Sequence, residues 1–217
     1  LLFNIPLEFG VIITALDVFL ILWLQNKGFR WIEAFVISLL VVITACFAIQ
    51  IFYAKPEWAE VMQGFIPTTD IVKNPNKLFI ALGIIGATVM PHAIFLHSAM
   101  TKTIKTMFDV LKTPKRIIRF SLMDTVVALV FAGLINGAIL VMSAATFYQK
   151  NLAIESIQTA YQTLSPLLGN VSGLAFGVAL LASGIASSVV ATLSGQVIFE
   201  GFTKLRTNLW KRRLVIR

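Results

Sequence analysis

The chain has 217 residues, 58% of them hydrophobic and only 13% charged, with a mean hydropathy of +0.86, against roughly 45–50% apolar and about 25% charged in soluble domains. A soluble core does not require several uninterrupted apolar runs of about 20 residues, each long enough to cross about 30 Å of hydrocarbon. The formal net charge of +8 comes from residues between those runs. It lacks the basic stripe interleaved with aromatics that marks nucleic-acid binding, so no nucleic-acid partner is expected.

Apolar runs predict an all-α, multi-spanning membrane protein with five spans, at 5–24, 31–53, 78–100, 120–146 and 167–200. All belong to one transmembrane domain covering 1–217. Turn formers separate them, among them Asn26-Lys27-Gly28 and the segment 67–75. The single cysteine, Cys46, sits inside the second run and reads as a packing residue, with no intrachain disulfide possible. There is neither an initiator methionine nor a signal-peptide pattern. Leu1 is therefore expected to lie inside a longer protein, and the basic tail 210–217 reads as the start of another apolar run.

The connectors after spans one, three and five carry 14 of the 18 lysines and arginines. By the positive-inside rule these three face the cytoplasm, as in a multi-pass protein of a cell membrane. The basic cluster from Lys112 to Arg119 reads as this topological signal, set against membrane lipid, rather than as a lipid-specific site.

The first span carries Asp17 at its middle, a carboxylate where ionisable groups are costly. The third is the most unusual. Pro91 removes a backbone donor, and Gly83 and Gly86 weaken the helix before it, so a break near mid-membrane is expected. Irregular backbone at that depth is tolerated where it is buried in protein or lines a watery cavity. The carbonyls around Ala87 and Thr88 would then be available to a cation. A simple proline kink is equally compatible with these residues.

His92 and His97 follow the break, five residues apart and so about 140° around an unbroken helix, which keeps them from easily sharing one metal. An imidazole titrating near neutrality suits a proton relay beside a cation site; the plainer reading is hydrogen-bonded packing. Met90 offers a thioether, a soft ligand for transition metals and a poor one for calcium or magnesium, though methionine is usually core filling. Asn136 in span four and Gln196 in span five are further polar candidates or interhelical glue. Gly173 with Gly177, Gly184 with Ser188 and Ala191 with Gly195 make span five a close-packing helix.

The run Gly86-Ala87-Thr88-Val89-Met90-Pro91-His92 with Phe95-Leu96-His97-Ser98 resembles the sixth helix of the Nramp family of metal transporters, in which an MPH tripeptide precedes LHS. Ala15-Leu16-Asp17, Gly28 through Ala34, Ser121-Leu122-Met123-Asp124 and Ser194 through Phe202 resemble that family's fourth, fifth, seventh and eighth helix regions in order. The overall look is of its bacterial manganese-transporting branch.

The resemblance implies a LeuT-like fold of two inverted repeats, of which this chain covers helices four to eight. It implies proton-coupled import of Mn2+ or Fe2+ by alternating access across a bacterial inner membrane, with no enzymatic step and no resident cofactor. Met90 sulfur and the Ala87 carbonyl match the family's metal ligands, and His92 and His97 match histidines of proton transfer or gating; Thr88, Asn136 and Asp17 are carried as a secondary polar network. Two departures stand out. No DPGN motif of the family's first helix occurs, so the metal site is expected to need helices outside this chain, and Ala93 follows MPH where many members have asparagine. The rival readings are a LeuT-like permease for an organic solute and a non-transporting membrane subunit.

Overall fold

The computed structural model describes residues 9, 23–24, 27–66, 68–107, 114–148, 154 and 156–203, and among them every regular element is helical. The first helix whose bounds both lie among the described residues, α1 (Phe29–Ala54), starts after Gly28, whose φ of 109° is open to glycine and strained for other residues. Its 26 residues reach about 39 Å, more than the hydrocarbon thickness, so it spans with tilt. It stops at Lys55, which takes a left-handed conformation with its N–H on the Ile51 carbonyl at 3.1 Å. Pro56 then has no N–H with which to continue the ladder.

Two short helices follow, α2 (Trp58–Gly64) and α3 (Asp70–Lys73). Asn74 caps α4 (Pro75–Thr88): its side chain accepts from the Asn76 N–H at 3.1 Å, and Pro75 occupies the first helical position, where no donor is lost. An exposed ion pair between Lys77 and Asp70 ties α4 to α3. The chain continues through α5 (Pro91–Met107) and α6 (Pro114–Thr146). It then forms α7 (Ile157–Leu168), capped by Ser156 accepting from the Thr159 N–H at 3.1 Å, and α8 (Asn170–Thr203).

Among the described residues four stretches are long and apolar enough to cross a membrane: Arg30–Ala54, Pro75–Met100, Ile118–Thr146 and Asn170–Phe202. The expected span 5–24 lies almost wholly outside the described residues. The apolar stretch Asn170–Phe202 overlaps the expected span 167–200. Gly169 separates α7 from α8: its N–H makes the last ladder bond of α7, to the Ser165 carbonyl at 3.0 Å, and its φ of 89° then takes the chain out of the helix.

The helix α8 organises the packing, lying against α1, α7 and α5, while α6 packs chiefly on α1. One core joins Ile43, Cys46 and Phe47 of α1 to Met142 and Phe147 around the end of α6, Leu164 of α7, and Ala175, Phe176 and Ala179 of α8. That core is not wholly apolar. Gln50 is 0% exposed, and among the described residues neither its amide nor the buried hydroxyls of Thr146 and Ser172 has a partner. An amide in that setting costs roughly 1–3 kcal/mol, which the surrounding apolar contacts must outweigh.

Small residues let α7 and α8 approach closely. A Cβ added at Gly173 would collide with Ser165 Oγ and stand 3.2 Å from Ser165 Cβ. Gly173→Ala should therefore lower the unfolding temperature in detergent, the overpacking cost of about 1–3 kcal/mol exceeding the roughly 1 kcal/mol of helix propensity gained. Adding Ser165→Ala should return part of the loss; a variant as stable as the parent would show that the two helices are not in this contact.

Candidate functional site: a broken helix with soft and carbonyl donors

The break in the third expected span follows from one covalent fact. The Ala87 carbonyl would take its helical bond from the amide four residues on, and that residue is Pro91, which has none. The last ladder bond of α4 runs from Val89 N–H to the Ile85 carbonyl at 3.0 Å. Val89 then turns extended, at φ −86° and ψ 106°. The helix resumes at Pro91, with Ala93 N–H reaching back to the Met90 carbonyl at 3.0 Å. No backbone bond to the carbonyls of Gly86, Ala87 or Thr88 crosses the gap. Thr88 Oγ1 donates to the Ile85 carbonyl at 2.9 Å, so its hydroxyl serves the helix end.

The two halves are supported differently. The principal partner of α5 is α8, whereas α4 packs mainly against the short α3. No residue of α4 is buried. Gly83 and Gly86 present open backbone, with nothing within 4 Å of where a Cβ would stand. Met90 is 46% exposed, and Ala87 and Thr88 are exposed with it. Among the described residues no group of three or more His, Cys, Asp or Glu could hold a metal. The donors offered at the break are thus a thioether sulfur and peptide oxygens.

The histidines separate as their spacing predicts. His92 is half-buried beside the break, while His97 lies further along α5 and meets α6, its Nε2 standing 3.4 Å from Thr125 Oγ1. The Thr125 hydroxyl already donates its one proton to the Ser121 carbonyl at 2.8 Å. Nε2 of His97 must therefore be the donor if the contact is a hydrogen bond, which selects the Nε2–H tautomer or the imidazolium. Nothing in the periodicity of the sequence singles out Thr125. Its neighbours Ser121 and Asp124 belong to a motif noted above, and a hydroxyl one residue beyond was the available signal.

The other candidates are dispersed. Asn136 is exposed on α6, so among the described residues it glues no helices together. Gln196 is buried in α8 with its Nε2 unpartnered. Asp17 lies outside the described residues.

These features define the class: a multi-pass helical membrane protein with a partial LeuT-like fold and an interrupted helix that bares a thioether and peptide oxygens. The family described as natural resistance-associated macrophage protein-like (Nramp) matches residues 1–217, and the chain belongs to that family. It is 52% identical to the divalent metal cation transporter MntH of Agrobacterium fabrum over all of this chain and 47% of that protein. With the MntH of Brucella suis the identity is 48%, over all of this chain and 48% of the relative. The crystal structure of the Eremococcus coleocola manganese transporter, in complex with an aromatic bis-isothiourea substituted compound, superposes with a TM-score of 0.85 at 40% identity. That superposition covers 99% of this chain and 47% of the other. The chain thus spans about half the length of the curated relatives it matches.

Proposed function

We propose that the full-length protein is a proton-coupled secondary transporter that imports divalent transition metal ions of the Mn2+/Fe2+ class across the bacterial inner membrane by alternating access. The observation that carries this reading is the Ala87 carbonyl, deprived of its helical donor by Pro91 and placed three residues from the Met90 sulfur. Similarity to proteins named divalent metal cation and manganese transporters supports the substrate class.

In this reading the peptide oxygen of Ala87 supplies a hard donor and Met90 a soft one. A thioether binds late first-row metals far better than it binds calcium or magnesium, so it contributes preference more than raw affinity. Thr88 lines the same gap. Helices beyond this chain complete the ligand set, and Asp17 and Asn136 stand as lesser members of the polar network. The non-helical Val89–Met90 link lets α4 move relative to α5, which stays docked on α8. His92, beside the break, and His97, further along α5, move or gate the coupled proton.

Met90→Ala in the full-length protein should leave manganese uptake into proteoliposomes largely intact. Calcium should become a stronger competitor by on the order of tenfold, the factor that about 1.4 kcal/mol of lost preference gives. Unchanged competition by calcium and magnesium would remove Met90 from the selectivity set.

His92→Ala should lower the number of protons moved per metal ion while metal uptake per folded protein falls less, with His97→Ala having the smaller effect. Parallel recording of metal and pH signals separates this from packing. A packing histidine lowers both fluxes together and leaves their ratio unchanged.

A further inference from the structure

Where the chain turns into α1, Lys27 is the last helical residue before Gly28. Its ammonium lies 4.0 Å from the centroid of the Trp23 ring and 5.5 Å from that of Trp31. The two indoles are 56% and 57% exposed, so neither is spent on the core. The turn itself is anchored: Leu24 and Ile32, each one residue from a tryptophan, are buried together with Val189 of α8. Arg30 is exposed beside the cluster. Among the described residues the one ion pair is Lys77 with Asp70, so no described carboxylate neutralises Lys27 or Arg30. That holds although Glu33 follows Arg30 by one turn.

Indoles favour the boundary between hydrocarbon and headgroups. A lysine over their faces is held by attraction to the ring quadrupole while its N–H donors stay available to an acceptor. The charge distribution sets this turn at the cytoplasmic face, whose leaflet carries anionic lipid. We propose that Trp23, Lys27 and Trp31, with Arg30, form a binding site for the phosphate of one anionic phospholipid of the phosphatidylglycerol kind. The rings flank the glycerol backbone, and the two cations take the phosphate oxygens. Because the turn also packs on α8, occupancy of the site stabilises α8 against α1.

The test uses the full-length protein in nanodiscs of phosphatidylcholine with and without phosphatidylglycerol, reading the unfolding temperature. Phosphatidylglycerol should raise it for the parent, and Lys27→Gln with Arg30→Gln should abolish most of that rise while leaving the value in phosphatidylcholine close to the parent's. Trp31→Leu should diminish the rise. A control with Lys115→Gln and Arg116→Gln removes the same charge from another connector and should keep it. Inorganic phosphate added to phosphatidylcholine discs should not substitute for the lipid. The proposal is overturned by no lipid-dependent rise in the parent, by a full rise in the Lys27/Arg30 variant, by an equal loss in the control, or by an equal rise with phosphate alone.

Discussion

A peptide oxygen inside a bilayer has no water to turn to, and this structure is arranged around one that loses its intrahelical donor. Pro91 denies the Ala87 carbonyl its amide, and the chain answers with two non-helical residues, Val89 and Met90, rather than a continuous kinked helix. Leaving such a group in hydrocarbon costs several kcal/mol, so it persists only where protein, water or a cation receives it. Every other feature of the site depends on that constraint. The glycines before the break bare the backbone, the thioether sits next to the freed carbonyls, and the first histidine stands within a turn.

The described helices divide into a packed part and a bare part. On α8, Ala175, Ala179 and Ala182 allow close approach, and Gly173 permits contact with α7; together with α1 and α6 these build a shared core. The first half of the broken helix takes almost no part in it, while the second half rests on α8. Many large apolar side chains stand exposed on these helices, in a chain that covers about half the length of its relatives.

Much of this was legible because it is written in covalent terms. Long apolar runs, basic connectors and a proline amid glycines need no tertiary information, and the break falls at Val89–Met90 where the sequence predicts it. The MPH and LHS tripeptides pointed to the family that the whole chain proves to match. What could not be read was set by contacts between distant segments. The separation of α7 from α8 turns on the conformation of Gly169, hidden within one apolar stretch. The meeting of His97 with Thr125 depends on how two helices rotate about their axes, which neither residue encodes locally. Asn136 looked like interhelical glue because it is polar in a span, yet helix rotation leaves it exposed among the described residues.

The most direct test of the account is X-ray absorption spectroscopy of the full-length protein loaded with manganese, read for the atoms in its first coordination sphere. The account predicts a sulfur neighbour among oxygens, lost in Met90→Leu while the oxygen shell remains. A sphere of oxygen and nitrogen alone in the parent, or a sulfur signal that survives Met90→Leu, would contradict the placement of the metal at the break.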